Sequence, residues 1–159
     1  MSDPMDDNRP HILVVEARFY SDIADALYAG ASAALDAAGV THERVEVPGA
    51  FEIPAVIQMA VKSMDFFAGR RRFDGYVTLG CVIRGETTHY DYVCTESARA
   101  LQDLACRHTL ALGYGILTCE TMEQAWVRAD VDQKNKGGDA AAACLAMLDV
   151  KRHFHLYPR

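Results

Sequence analysis

A chain of 159 residues, half of them hydrophobic, has enough apolar material for one compact domain. Its 16 Lys and Arg against 22 Asp and Glu give a formal charge of −6, a poor balance for gripping nucleic acid through its phosphates. No apolar run approaches the ~20 residues of a membrane-spanning helix, and the acidic start MSDPMDDNRP is unlike a secretory leader.

Residues 1–10 read as a flexible tail and residues 11–159 as a single domain. Cys81, Cys94, Cys106, Cys119 and Cys144 are odd in number, widely spaced and free of any CxxC pair. That pattern fits reduced thiols in a cytoplasmic protein, not a disulfide framework or a zinc ribbon. The histidines show no metal-ligand spacing, and no metal site is expected.

The apolar run His11–Glu16 predicts a first, buried strand. Ser21 is a candidate cap for a helix whose inner face carries Ile23, Leu27, Ala31, Ala34 and Ala38, stopped by Gly39. Arg44–Val47 predicts a second strand, polar enough to lie near an edge. Pro48-Gly49 breaks the chain, and a second helix follows with Val56, Met59 and Ala60 on one face, together with Ser63, fading near Phe67-Ala68-Gly69. Arg70-Arg71-Arg72 reads as a solvated loop. Tyr76–Ile83, apolar almost throughout, predicts a central strand.

Arg84–His89 then leads to a long helix with Val93, Ser97, Ala100, Leu101, Leu104 and His108 inward. Gly115–Thr118 predicts the fourth strand. Thr121-Met122-Glu123-Gln124 matches a capping box opening a short helix to Arg128. A polar loop, Asp130–Gly138, precedes a last helix through Ala143, Met147 and Leu148. Strands separated by helices imply parallel pairing with right-handed crossovers. The expected fold class is therefore α/β: a three-layer αβα sandwich around a four-stranded parallel sheet.

Ligands of such sheets bind beyond the carboxyl ends of the strands. Three segments lie there. Ala17–Tyr20 offers Phe19, either a plug for the core or a platform for a flat heterocycle. Pro48–Ile53 offers small residues for close backbone approach and Glu52, either a carboxylate favoured by a helix dipole or an acceptor for ligand hydroxyls. Gly85-Glu86-Thr87-Thr88 opens a helix, where free N–H groups and threonine hydroxyls suit an anion, with the Glu86 side chain turned away from it. His89 follows within the same turn, and a helix N-terminus favours the neutral, proton-accepting form of histidine.

The motifs Pro48-Gly49-Ala50-Phe51-Glu52-Ile53-Pro54 and Gly80–Asp91 (GCVIRGETTHYD) strongly resemble the lumazine synthase family. Gly115–Thr118, Glu123-Gln124-Ala125 with Arg128, and Asn135-Lys136-Gly137 extend the resemblance over nearly all of residues 12–154. The chain departs from the family's usual residues at Tyr20, Cys81 and Glu86. The resemblance implies a flavodoxin-like sheet. It also implies the cofactor-free condensation of 5-amino-6-(D-ribitylamino)uracil with 3,4-dihydroxy-2-butanone 4-phosphate, the penultimate step of riboflavin biosynthesis. The alternative is a flavin- or lumazine-binding, or shell-forming, member with little turnover.

By the same resemblance, Phe19 stacks on the pyrimidine, and Ala50, Phe51 and Glu52 hold the ribityl chain. Cys81, Val82 and Ile83 contact the ring through backbone atoms, Glu86 and Thr87 bind phosphate, and His89 shuttles protons. Tyr114, Lys136 and Arg128, the last on the phosphate, come from a neighbouring subunit. Members assemble as pentamers or as sixty-subunit capsids; the pentamer is the favoured expectation here, with sites at subunit interfaces. Arg84, the nearest cation in sequence, is expected to turn outward.

Overall fold

A computed structural model describes residues 8–66 and 73–158. The beginning of the expected tail (residues 1–7) and the arginine cluster at 70–72 lie outside the described residues. Strands β1 (His11–Ala17), β2 (Thr41–Val47), β3 (Gly75–Ile83) and β4 (Leu112–Cys119) form one parallel sheet in the order β2-β1-β3-β4. Helices are α1 (Ser21–Ala37), α2 (Ile53–Phe66), α3 (His89–His108), α4 (Met122–Ala129) and α5 (Lys136–His153). A 3-10 turn, Ala50–Glu52, precedes α2.

Alternation along the strands builds two cores. Ile12 and Val14 of β1 face α1 and α5; Leu13, Val15 and Ala17 face α2 and α3. β3 is buried from Gly75 to Gly80, as expected of an inner strand covered on both faces. The three-layer α/β expectation is met. Strand order reverses between β1 and β3, so their carboxyl ends flank the crevice where such sheets hold ligands. Among the described residues no helix is long and apolar enough to cross a membrane.

Several local expectations are corrected. Ser21 is the first residue of α1 and not its cap; Tyr20 holds that position without a side-chain bond. Leu35 lies inward, where Ala38 had been expected, and Ala38 is the exposed C-cap. In α2 the buried residues are Ile53, Ile57 and Ala60, while Met59 is exposed. Apolar residues ring most of that helix, so spacing alone left its orientation ambiguous. β2 starts at Thr41, earlier than its polar sequence suggests, because its side chains are satisfied by ion pairs and hydrogen bonds.

The N-cap half of the capping box is formed, Thr121 Oγ1 accepting from Gln124 N (3.2 Å), while Gln124 Oε1 reaches one residue further back and accepts from Glu120 N (2.8 Å). The polar loop is shorter than expected. Asn135, in a left-handed conformation, caps α5 by accepting from Gly138 N (3.2 Å), so Lys136-Gly137-Gly138 is helical. The inner face of α5 is Gly137, Gly138, Ala140, Ala141, Cys144 and Leu148; Met147 and Ala143 are exposed.

Candidate active site

Phe19 lies two residues past the end of β1 and is 73% exposed, so it does not plug the core. Its neighbour Tyr20 packs inward and meets the Phe19 ring edge-on at 4.9 Å. Burial raises the pKa of the Tyr20 hydroxyl. Arg18 N donates to Val47 O (3.3 Å), fastening the exit of β1 to the exit of β2.

Beyond β2, Ala50 is buried, whereas Phe51 and Glu52 are exposed. Glu52 N donates to Gly49 O (3.2 Å), and its carboxylate folds back over Gly49, where a Cβ would lie 3.2 Å from Oε2. Fully buried Ile53 anchors the segment from below. The 3-10 turn packs against α3, which brings Glu52 and the start of α3 to one edge.

At the end of β3, Cys81, Val82 and Ile83 are half-buried. Arg84 N still donates to Cys119 O (3.0 Å), so the strand is held until the turn begins. Gly85, Glu86, Thr87 and Thr88 are exposed, and among the described residues no acceptor takes their backbone N–H groups. His89 N donates to Thr87 Oγ1 (3.3 Å), and the His89 side chain is exposed at the first residue of α3. Unsatisfied donors at a helix start, with the dipole behind them, favour an anion.

The nearby cations are already engaged. Arg84 bonds Glu120 (2.8 Å) and Asp91 (3.3 Å) and lies over the Tyr90 ring (4.3 Å), turned away from the 85–88 turn. Arg18 bonds Glu16 (2.8 Å) and Asp25 (2.5 Å) and approaches Glu46 (3.6 Å). Arg128 is different. It donates to Gln124 O within α4 (3.1 Å), and among the described residues no carboxylate pairs with it. Lys136 bonds Asp139 within α5 (2.8 Å).

Burial pushes the Cys81 thiol up to about 12, with Cys119 beside it, so its side chain is a neutral spacer and not a thiolate nucleophile. Tyr114 pairs with Thr78 in register, five residues before Ile83, or ~16 Å down the sheet from the carboxyl edge. It lines a groove of about 770 Å³ between α3 and α5 with Leu101, Leu112, Met147 and Phe154.

One chain therefore gathers Phe19, Ala50, Phe51, Glu52, Cys81, Val82, Ile83, Glu86, Thr87 and His89 at the carboxyl edge of its sheet. Tyr114 lies well below that edge, and Lys136 belongs to the helical layer opposite α2 and α3. Arg128 sits on α4, near Cys119, with no bond to the 85–89 turn. Glu16, which lies outside every motif of the sequence, is fully buried with both carboxylate oxygens held by arginines. An acid inside the otherwise apolar run His11–Ala17 was the available signal.

The family model for 6,7-dimethyl-8-ribityllumazine synthase matches residues 9–152. The chain is 58% identical over 142 residues to a protein of Rhizobium meliloti named 6,7-dimethyl-8-ribityllumazine synthase 1, covering 89% of this chain and 92% of that one. It is 52% identical over 152 residues to the protein of the same name from Rhodopseudomonas palustris, covering 96% and 92%. It is 53% identical over 145 residues to the 6,7-dimethyl-8-ribityllumazine synthase of Agrobacterium fabrum, covering 91% and 97%.

Proposed function

Since the chain belongs to the 6,7-dimethyl-8-ribityllumazine synthase family, we propose that it condenses 5-amino-6-(D-ribitylamino)uracil with 3,4-dihydroxy-2-butanone 4-phosphate, the penultimate step of riboflavin biosynthesis. The observation carrying this reading is one edge that offers an exposed ring (Phe19), a carboxylate (Glu52) and a helix N-terminus with free N–H groups, a threonine hydroxyl and a histidine.

Each part suits a step. Phe19 offers its face to the pyrimidine, and Glu52 accepts from ribityl hydroxyls. The N–H groups of Glu86 and Thr87, with the Thr87 hydroxyl, hold the phosphate while the Glu86 side chain stays in solvent. The amine attacks the ketone and water leaves, giving a Schiff base. Phosphate is then eliminated, the enol left behind tautomerises to a ketone, and the second nitrogen attacks that carbonyl and closes the ring as a second water leaves. His89 takes and returns the protons of these steps. Holding both reactants in register contributes most of the acceleration, because well-oriented partners gain ~7–11 kcal/mol.

The phosphate still needs a cation. Arg18 and Arg84 are bound to carboxylates, and Arg128 is unpaired but not aimed at its own turn. We infer that Arg128, Tyr114 and Lys136 serve the edge of an adjacent copy in a cyclic homo-oligomer, a pentamer, inside the cytoplasm. Heterologous contacts that close a ring make one shared site per interface. The single domain over residues 11–159 carries the whole of this machinery.

Incubating the purified protein with both substrates and a chelator tests the function. Phosphate and 6,7-dimethyl-8-ribityllumazine should appear in equal amounts. Binding of lumazine without turnover would contradict it.

A further inference from the structure

Beneath Phe19 lies a polar network that the reaction does not explain. Glu16 of β1 is 0% exposed. Its Oε1 accepts from Arg18 Nη1 (2.8 Å) and Arg44 Nη2 (3.0 Å), and its Oε2 accepts from Arg44 Nε (2.6 Å). Arg44 lies over the Tyr28 ring at 3.5 Å, and Tyr28 shares a hydrogen bond with His42 Nε2 (2.8 Å). Arg18 continues to Asp25 on α1 and towards Glu46 on β2. Three elements, β1, β2 and α1, are thus tied through one buried carboxylate.

A buried charge is costly, and hydrophobic residues of the same volume would serve stability as well. Its placement suggests a use. Arg18 is the residue before Phe19, held by its side chain to Glu16 and Asp25 and by its N–H to Val47 O. Among the described residues the one aromatic partner of the Phe19 ring is Tyr20, met edge-on, and the ring is largely exposed, so its attitude depends on the backbone on which it stands. We propose that Glu16 and Arg18 are positioning residues that fix the Phe19 ring for the flat heterocyclic substrate; this rests on the reading of Phe19 as a stacking platform.

The test is steady-state kinetics with each substrate varied in turn, for Arg18→Met, Phe19→Ala and the double variant. Arg18→Met leaves Glu16 paired with Arg44, so the fold survives. It should raise KM for the ribitylaminouracil about threefold to tenfold, the size of a stacking contact, with KM for the butanone phosphate unchanged. In the Phe19→Ala background it should add nothing further. Arg18→Lys, which keeps a charge opposite Glu16, should recover part of the loss. Should Arg18→Met fail to fold, Asp25→Asn removes the exposed partner of Arg18 instead, and the same selective rise in KM is expected, smaller in size. Equal rises in both KM values, or full additivity with Phe19→Ala, would show a merely structural role and overturn the proposal. An altered Phe19→Ala beside unchanged Arg18→Met overturns it alone; an unchanged Phe19→Ala removes the platform and the proposal with it.

Discussion

His89 stands exposed at the head of α3, its backbone tied to Thr87. His89→Ala should lower kcat by about 10²-fold or less, the low end for one acid–base group where positioning dominates, and leave both KM values in place. A wild-type rate would remove it from proton transfer. Glu52→Gln keeps the shape but loses a charge-assisted bond, about 1.5 kcal/mol for a solvent-exposed group, or roughly tenfold in affinity for the ribityl substrate. Equal loss of affinity for both substrates would make Glu52 only a helix-start carboxylate. The Cys81 thiol, pushed up to about 12 by burial, stays protonated in the folded chain while an unfolded thiol ionises near 9. Stability from this group is therefore full below pH 9 and is lost as pH rises towards 12. Cys81→Ala should flatten that alkaline loss in thermal melts, while turnover at neutral pH stays within about twofold of wild type.

Among the elements, α5 meets its neighbours most closely. A Cβ on Gly137 would sit 2.0 Å from Leu27 O of α1, and one on Gly113 of β4 would sit 1.8 Å from Ala140 O of α5. Both obstacles are backbone, so neither can swing aside. Gly137→Ala should cost about 3 kcal/mol, read as a lower urea midpoint; an unchanged midpoint would mean α5 docks with slack to spare. These glycines also show where the sequence was hard to read. Small residues carry no period, so the sequence marks the last helix by Ala143, Met147 and Leu148, of which Leu148 alone is buried. By contrast β3, apolar over almost its whole length, and the helix start after it were legible, because burial on both faces and a GETTH turn into a helix each leave a local signature. Glu16 was not, since the arginines that neutralise it come from a turn and another strand.

For the whole molecule, the decisive feature is an edge with an exposed ring, a carboxylate, a helix start with free N–H groups and a histidine, but no unengaged cation of its own aimed at that turn among the described residues. Exposed Met122, Trp126 and Val127 on the same helix as Arg128 suit a neighbour's surface better than water. Light scattering should return the mass of five 17.5 kDa chains; a monomer would leave each site without its arginine. The measurement that bears most directly on the shared site mixes two inactive proteins. Arg128→Ala loses the phosphate grip, and Phe19→Ala with His89→Ala loses the platform and the proton shuttle. Unfolded together and refolded, they should form rings in which some interfaces join an intact edge to an intact Arg128, and part of the wild-type activity should return. Mixed rings that remain inactive would show that each chain builds its site alone.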